Sequence, residues 1–320
     1  IAAQCAALEV DGVATIGSDL ANITVAEVAE RLGLPANSVD CVRKSTNKEL
    51  MRAVFEQCGD PSPRSVPVRE GDDVAMLDMS YPLIVKPADR SGSRGITRLD
   101  DASGLTEAVD RAAAESFAHE ALVEEFAAGD EYSVEYVSWE GEHRFLAVTE
   151  KFTTGAPAFI ERGHLEPARI SAERERAIRA VVEHALDSLG VRFGASHSEV
   201  KVASDGTIKI IEIGSRMGGD CIGSHLVPAS TGYDFVGAVI DAALGIEPPR
   251  PSGAPVRHTA IRFVFDDDDR AALAALRCDP AVELLLETTI DDDGHAIVDS
   301  GSRYGFYIFA SDDEAALEPY

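Results

Sequence analysis

The stretch SEVKVASDGTIKIIEIGSRMGG, Ser198 to Gly219, carries the reading that decides the fold. Two extended segments, Phe193 to Val202 and Thr207 to Ile213, flank Ser204-Asp205-Gly206, a turn signal of the kind that closes a hairpin. Folded back in this way, the strands set Glu199 and Glu212 on one face. Each glutamate is bounded by apolar or small residues, so an ionised carboxylate there needs a compensating cation. Two hard anionic ligands facing nucleotide phosphates make a Mg2+ site, with water and phosphate oxygens completing the shell. Arg216, four residues past Glu212, can meet a transferred phosphoryl group or a substrate carboxylate. The competing reading is a hairpin with unrelated surface acids.

Two segments nearer the amino terminus add chemistry of the same kind. In VKPADRSGSRG, Val85 to Gly95, a lysine ends a strand and a glycine-containing loop follows. Lys86 can set its ammonium beside phosphate oxygens, while the loop glycines let backbone N–H groups approach the same anion. The spacing is not that of a Walker-type phosphate loop. In EEFAAGDE, Glu124 to Glu131, extended backbone can pair with a base, and the carboxylates of Glu124 and Glu131 can accept from an amino group or ribose hydroxyls. Read singly, each is an exposed turn or a surface acid.

Around these motifs the chain alternates between short apolar runs and helical spacing. Val10 to Ile16 predicts a strand, Thr24 a cap for a helix over Val25 to Leu32, and Asn47 to Gln57 a second helix. Strand alternating with helix predicts a partial amino-terminal α/β domain with a parallel sheet over residues 1–66. Prolines 61, 63 and 67 mark a connection. Tyr81 to Lys86, Ile96 to Leu99, a helix over Glu107 to His119, then Leu122 to Phe126 and Tyr132 to Val137 predict a small α+β lid module over 67–139. The remainder, 140–320, predicts a larger antiparallel-sheet domain. It holds a strand at Arg144 to Glu150, a loop to about Arg169, a helix from Ala172 to Leu189 and, past the hairpin, a helix near Gly232 to Leu244. Strands follow at Thr259 to Phe265, Val282 to Glu287 and Tyr304 to Ala310. The fold class is therefore α/β and α+β.

Composition narrows the function. The chain of 320 residues has a formal net charge of -27, which argues against nucleic-acid backbones as partners but permits a locally positive nucleotide cleft. The acidic run Asp266 to Asp269 reads as a solvated loop. Five scattered cysteines without metal-site spacing suit reduced thiols, and the expected location is cytoplasmic. No segment approaches the ~18 apolar residues of a membrane span. The opening residues lack an initiator methionine and a signal-peptide pattern, and read like a domain entered partway through.

Taken in order, these motifs resemble the ATP-grasp superfamily, particularly its carboxylate–amine ligases, which include L-amino acid ligases and biotin-carboxylase-like enzymes. The resemblance covers nearly the whole chain. It implies that Lys48 and Lys86 are the two ATP-phosphate lysines and that Ser91, Gly92, Ser93, Arg94 and Gly95 form the flexible phosphate-covering loop. Glu124 matches the adenine-contacting glutamate, Phe126 contributes backbone, and Glu131 matches the ribose-contacting acid. Glu199 and Glu212 match the metal carboxylates, and Arg216 the arginine that follows them. The chain departs where many relatives read Glu-Ile-Asn-Pro-Arg: Gly214 supplies no side-chain oxygen, which puts the number and geometry of metal ions in doubt.

TEKFTTGAPAFIERGHLEPA, Thr149 to Ala168, also resembles the loop such ligases place near the acceptor, where Glu161 and His164 would orient an amine or adjust its protonation. Arg262 and Arg303 sit in segments resembling substrate-facing strands, as anchors for a carboxylate. The implied cofactors are ATP and Mg2+, with Mn2+ as a substitute. The implied reaction joins a small carboxylic acid, an amino acid by preference, to an amine through an acyl phosphate. Alternatives on the same scaffold are bicarbonate or purine-intermediate ligation and a noncatalytic ATP-binding interaction protein. The resemblance is also compatible with a homodimer.

Overall fold

The structure is a computed structural model and describes residues 1–69, 72–252, 256–290, 294–318 and 320. Four helices come first: α1 (Ala2–Ala7), α2 (Asp19–Leu32), α3 (Val39–Lys44) and α4 (Lys48–Cys58). Among the described residues the predicted parallel sheet is not there. Val10 to Ile16 forms no strand, and the two sheets described pair antiparallel throughout. The helix assigned to Thr24 begins earlier, because the Ser18 hydroxyl accepts from Ala21 N at 3.3 Å and caps α2 at Asp19. Asn47 caps α4, and Gly59 closes it in the left-handed region.

The smaller sheet has the order β1-β4-β2-β3, built from β1 (Ser65–Val68), β2 (Leu83–Pro87), β3 (Thr97–Leu99) and β4 (Ala121–Glu125). The apolar face of α5 (Leu105–Glu115), carrying Leu105, Ala108, Val109 and Ala112, packs on Val68, Leu83, Val85 and Val123. Strand β5 (Asp130–Trp139), which includes the stretch Tyr132 to Val137, pairs within the larger sheet rather than this one.

The larger sheet adds β6 (Glu142–Thr153), β7 (Glu161–Glu166), β8 (Gly194–Val202), β9 (Ile208–Gly214), β10 (His258–Val264), β11 (Glu283–Glu287) and β12 (Gly305–Ser311), in the order β11-β12-β10-β7-β6-β5-β8-β9. The segment read as a loop up to Arg169 thus contains a strand, β7. Against one face lies α6 (Ala172–Leu189), which buries Ile178, Val182 and Leu186 against Tyr132, Val134, Tyr136 and Val200. Helices α7 (Val227–Thr231) and α8 (Phe235–Ala243) cover part of the other face, where Leu226, Phe235 and Val239 meet Val137, Ala147 and Ala195. The acidic run starts a helix rather than a loop, with Asp266, Asp267 and Asp268 exposed and Asp269 buried. Asp266 caps α9 (Asp267–Leu276), and Asp269, 0% exposed, accepts from Arg262 Nε at 2.8 Å and Phe265 N at 2.7 Å.

Candidate active site

The period-two alternation of the large sheet produces a polar face beside its apolar ones. Register partners point to the same side, so rows of side chains run across the strands. One row reads Lys201, Glu131, Lys151 and His164 across β8, β5, β6 and β7. The next begins Glu212, Glu199, Ser133 and Thr149 across β9, β8, β5 and β6. A third pairs Gly214, His197 and Glu135. These rows floor a cavity of about 310 Å3, and residues of the smaller sheet line its other wall, among them Ile84, Lys86, Glu124 and Phe126.

The two glutamates singled out from the hairpin are direct register partners. Lys151 Nζ donates to Glu199 at 2.6 Å and lies 2.9 Å from Glu131. Burial would raise the Glu199 carboxyl, but the Lys151 charge and the His197 hydrogen bond hold it well below the usual carboxylate range. Lys151 is correspondingly held well above the usual lysine range: burial opposes its charge, and Glu131 and Glu199 overcome that. The ring of His197 is clasped at Nδ1 by Glu135, which is fully buried and also accepts from Gly218 N at 3.1 Å. A Cβ on Gly218 would sit 2.8 Å from both Glu135 Oε1 and His197 Nδ1, so only glycine fits there. Burial disfavours the imidazolium, yet Glu135 outweighs it and pushes His197 up to about 9. On the neighbouring strand, Glu212 accepts from Lys48 Nζ at 3.0 Å.

Among the described residues no group of three or more His, Cys, Asp and Glu side chains is arranged to hold a metal ion. The Glu199–Glu212 pair still fits the metal of a metal–nucleotide complex. Two adjacent carboxylates on a cavity floor are hard ligands, and phosphate oxygens and water would supply the rest of the shell.

At the lid side, Lys48 Nζ also donates to Arg90 O at 2.7 Å, which fastens the loop after β2 to the first turn of α4. Lys86 lies 2.5 Å from Glu124, and Arg52 Nε donates to the same carboxylate at 2.7 Å. Two buried cations therefore share one anion. Burial, with Arg52 and Lys48 nearby, lowers Lys86 despite Glu124, whereas Arg52 and Lys86 overcome burial and lower Glu124. Glu124 lines the cavity, but both of its oxygens are already engaged. Glu131 is shared by Lys151 and Lys201, and Phe126 lies 4.5 Å beneath the Arg98 guanidinium.

At the far end, Arg216 forms a two-pronged bond to Asp19 at 2.7 and 2.9 Å. Its guanidinium is held above the usual range, since Asp19 and Glu212 outweigh the effect of burial. His164 Nε2 lies 3.4 Å from Asp220, and Arg303 donates to Asp220 at 3.1 and 2.6 Å. Burial would raise Asp220, but His164 and Arg303 hold it below the usual carboxylate range. Glu161 accepts from Ser93 at 3.4 Å and from the Ser300 hydroxyl. Arg94 reaches Asp299 at 3.2 Å, so the glycine loop touches the carboxy-terminal segment.

The cavity thus gathers Lys48, Lys86, Ser91, Gly92, Ser93, Arg94, Glu124, Phe126, Glu131, Glu161, His164, Glu199, Glu212 and Arg216. Three expected residues stand elsewhere. Gly95 packs against Pro87 and Glu115, and Arg303 lies behind Asp220, its guanidinium 3.4 Å from the Phe263 ring. Arg262 lines a separate groove and donates to Asp269 and to Tyr320 O. Sequence reading missed Asp19, Lys151, Lys201, His197 and Asp220, all on the cavity wall. Among these, His197 and Lys201, each two positions from Glu199 on an alternating strand, left a local signal.

A small antiparallel sheet faces a larger one across a cavity of lysines and paired carboxylates, an arrangement suited to a nucleotide and its metal ion. Comparison with known proteins agrees: the profile of the ATP-grasp domain matches residues 79–224. The solved L-amino acid ligase from Bacillus licheniformis is 25% identical, with a TM-score of 0.80 over 98% of this chain and 79% of that one. Alanine–anticapsin ligase of Bacillus subtilis is 26% identical over 64% of this chain and 48% of its own length, so this chain spans about half of that relative. A D-alanine–D-alanine ligase of Aromatoleum aromaticum is 29% identical over 69% of this chain and 75% of its own. Residues 79–224 thus match an ATP-grasp domain, and the chain is similar to amino-acid ligases.

Proposed function

We propose that the chain is the nucleotide-binding and catalytic part of an ATP-dependent carboxylate–amine ligase that joins amino-acid-like substrates. The observation that carries this reading is the shared cavity. Cations at the lid side, a carboxylate pair on the floor, and Arg216 with His164 at the far end all open into one space. The likeness to amino-acid ligases supports the substrate class.

In this reading the adenine lies against Ile84, Phe126 and Ala127, with Glu131 near the ribose hydroxyls. Lys48, Lys86 and the backbone of Ser91 to Ser93 hold the phosphates, and Glu199 and Glu212 would hold the divalent ion. That ion, when bound, neutralises phosphate charge as the terminal phosphoryl group is transferred. Arg216 exchanges Asp19 for the substrate carboxylate and aligns its oxygen with the terminal phosphorus. The carboxylate oxygen bonds to phosphorus as the bond to ADP breaks, giving an acyl phosphate. The amine, held by Glu161 and His164, attacks the acyl carbon, and its proton is taken up by the departing phosphate. The carbon–oxygen bond to phosphate then breaks, and the amide remains. Contact of the glycine loop with the Asp299–Ser302 turn shields the acyl phosphate from water.

Five free thiols accord with a cytoplasmic setting for such an enzyme. Among the described residues no helix is long and apolar enough to cross a membrane.

The test is ADP release across an array of amino acids, simple amines and bicarbonate, with mass spectrometry of the product. An amide product that depends on two amino-acid-like substrates is expected. Glu212→Ala should lower turnover on the order of 100-fold or more with an unchanged circular dichroism spectrum. Bicarbonate-dependent ADP release without an amino acid, or full turnover in Glu212→Ala, would sink the reading.

A further inference from the structure

Arg303, expected from the sequence to anchor a substrate carboxylate, commits its guanidinium to the protein itself. Its Nε donates to Ser300 O at 2.6 Å. One terminal nitrogen donates to Glu161 O at 3.2 Å and to Asp220 Oδ2 at 3.1 Å, and the other to Asp220 Oδ1 at 2.6 Å. The side chain is 9% exposed, and its guanidinium carbon lies 3.4 Å from the centroid of the Phe263 ring. The same ring meets His164 edge-on, with the centroids 5.9 Å apart.

The segments joined in this way build the wall that receives the amine. Strand β7 carries Glu161 and His164, the loop after β9 carries Asp220, and the Asp299–Ser302 turn leads into β12. Asp220 has a φ of +49°, a backbone conformation that persists in a non-glycine residue only where the surroundings impose it. The forked bond from Arg303 supplies such a constraint. Through these contacts the guanidinium reaches both amine-orienting groups. Glu161 is held by its carbonyl and by Ser300, whose hydroxyl donates to the Glu161 carboxylate. His164 is held by Asp220, 3.4 Å from Nε2, and by the Phe263 ring.

We propose that Arg303 is a positioning residue for the acceptor amine. Without touching substrate, it clamps β7, the Asp220 loop and the Asp299–Ser302 turn so that the Glu161 carboxylate and the His164 ring face the amine at a fixed spacing. The fork, rather than the charge, does this. A lysine ammonium keeps the positive charge beside Asp220, but a point charge on a flexible stem does not span Ser300 O, Glu161 O and both Asp220 oxygens. The same turn meets the glycine loop, since Ser300 N donates to Gly92 O at 3.4 Å and Arg94 reaches Asp299 at 3.2 Å. Slackening the clamp therefore also admits water to the acyl phosphate. The assignment rests on the ligase reading above, but the clamp can be read without activity.

The experiment compares the full chain with Arg303→Lys and Ser300→Ala, on acid–amine pairs drawn from the common amino acids. The amine is supplied both as the free amino acid and as its amide. In Arg303→Lys the KM for the amine should rise about tenfold or more in both forms, while the KM for ATP stays within about threefold. The amide formed per ADP released should fall. Ser300→Ala, which removes only the hydroxyl on Glu161, should show the same split at smaller size, and Ser300→Thr should reverse it. Hydrogen exchange read by mass spectrometry should show residues 161–166, 218–222 and 299–303 loosening together in Arg303→Lys, with β2 unchanged. A KM rise confined to free amino acids would make Arg303 a ligand of the substrate carboxylate and overturn the proposal. Equal rises in KM for amine and ATP, or faster exchange in 299–303 alone, would overturn it as well. If no pair releases ADP in the parent, the ligase reading fails, and the exchange comparison by itself decides whether Arg303 clamps these segments.

Discussion

Glu199 and Glu166 occupy one transverse row of the large sheet, three strands apart, and hold opposite charge states. Glu199 is ionised because Lys151 reaches it from the adjacent row and His197 from its own strand. Glu166 has hydroxyls in those places and is neutral at the pH where Glu199 is charged. Both are carboxyls on the same polar face, Glu166 0% exposed and the Glu199 side chain 22%, and burial raises both. The neighbouring row decides which of them overcomes it. Where it supplies a cation the carboxylate can serve as an anionic ligand, and where it supplies none the carboxyl becomes a hydrogen-bond donor.

The strongest way to break this comparison is to remove the cation. Lys151→Met takes the ammonium from both Glu131 and Glu199 and leaves them facing each other. Removing one partner of a buried ion pair costs about 3–5 kcal/mol, and urea denaturation near pH 7 should show a loss of that order. In the parent, the depressed Glu199 group contributes stability above its unfolded value of 4.5, and that contribution is lost as pH falls through the folded value. The variant should instead gain stability relative to the parent as the pH is lowered. Equal stabilities near pH 7 would show that Lys151 does not set the charge of Glu199.

Glu166→Gln sharpens the other half. The Glu166 pKa is raised from 4.5 to about 8, so between those values the folded state binds a proton that the unfolded state has released. Stability of the parent therefore falls as pH rises through this window, with a limiting slope of about 1.4 kcal/mol per pH unit from this group. Glutamine does not titrate, and the difference in Tm between variant and parent should grow in the variant's favour from pH 5 to 8. Parallel Tm profiles would mean that Glu166 is ionised in the fold.

What the sequence reveals follows the same division between local and non-local causes. Glu199 and Glu212 are legible because a short turn ties them together, and helix α6 is legible because its apolar spacing and its glycine stop are local. Lys151 and Asp19 are not. Lys151 meets Glu199 because β6 lies beside β5 and β5 beside β8, and Asp19 meets Arg216 across 197 positions. The parallel sheet expected near the amino terminus failed because Val10 to Ile16, though apolar, has no strand beside it to complete its hydrogen bonds. The acidic run at Asp266 did carry a local signal, an aspartate cap with further acids in the first turn, which a reading as solvated loop overlooked. The glycine at position 214, an oddity in the sequence, has its own spatial reason: a Cβ there would come within 3.0 Å of the Arg216 guanidinium carbon.

The smallest effect belongs to the residue between the two carboxyls. Ser133 stands in the row between Glu199 and Thr149, is 0% exposed, and its hydroxyl has no partner among the described residues. If the ends of the row are set independently by their own neighbours, removing this hydroxyl changes little. A buried hydroxyl without a partner contributes no net hydrogen bond, so Ser133→Ala should shift stability by less than about 1 kcal/mol in either direction. It should also leave the pH window of Glu166 in place, as read by the Tm profile. A marked displacement of that window would show that Ser133 passes the charge of Glu199 along the row, and the two carboxyls would then have to be treated as one titrating unit. The position of the Lys151 ammonium argues for independence, because it compensates Glu199 before its field reaches Thr149.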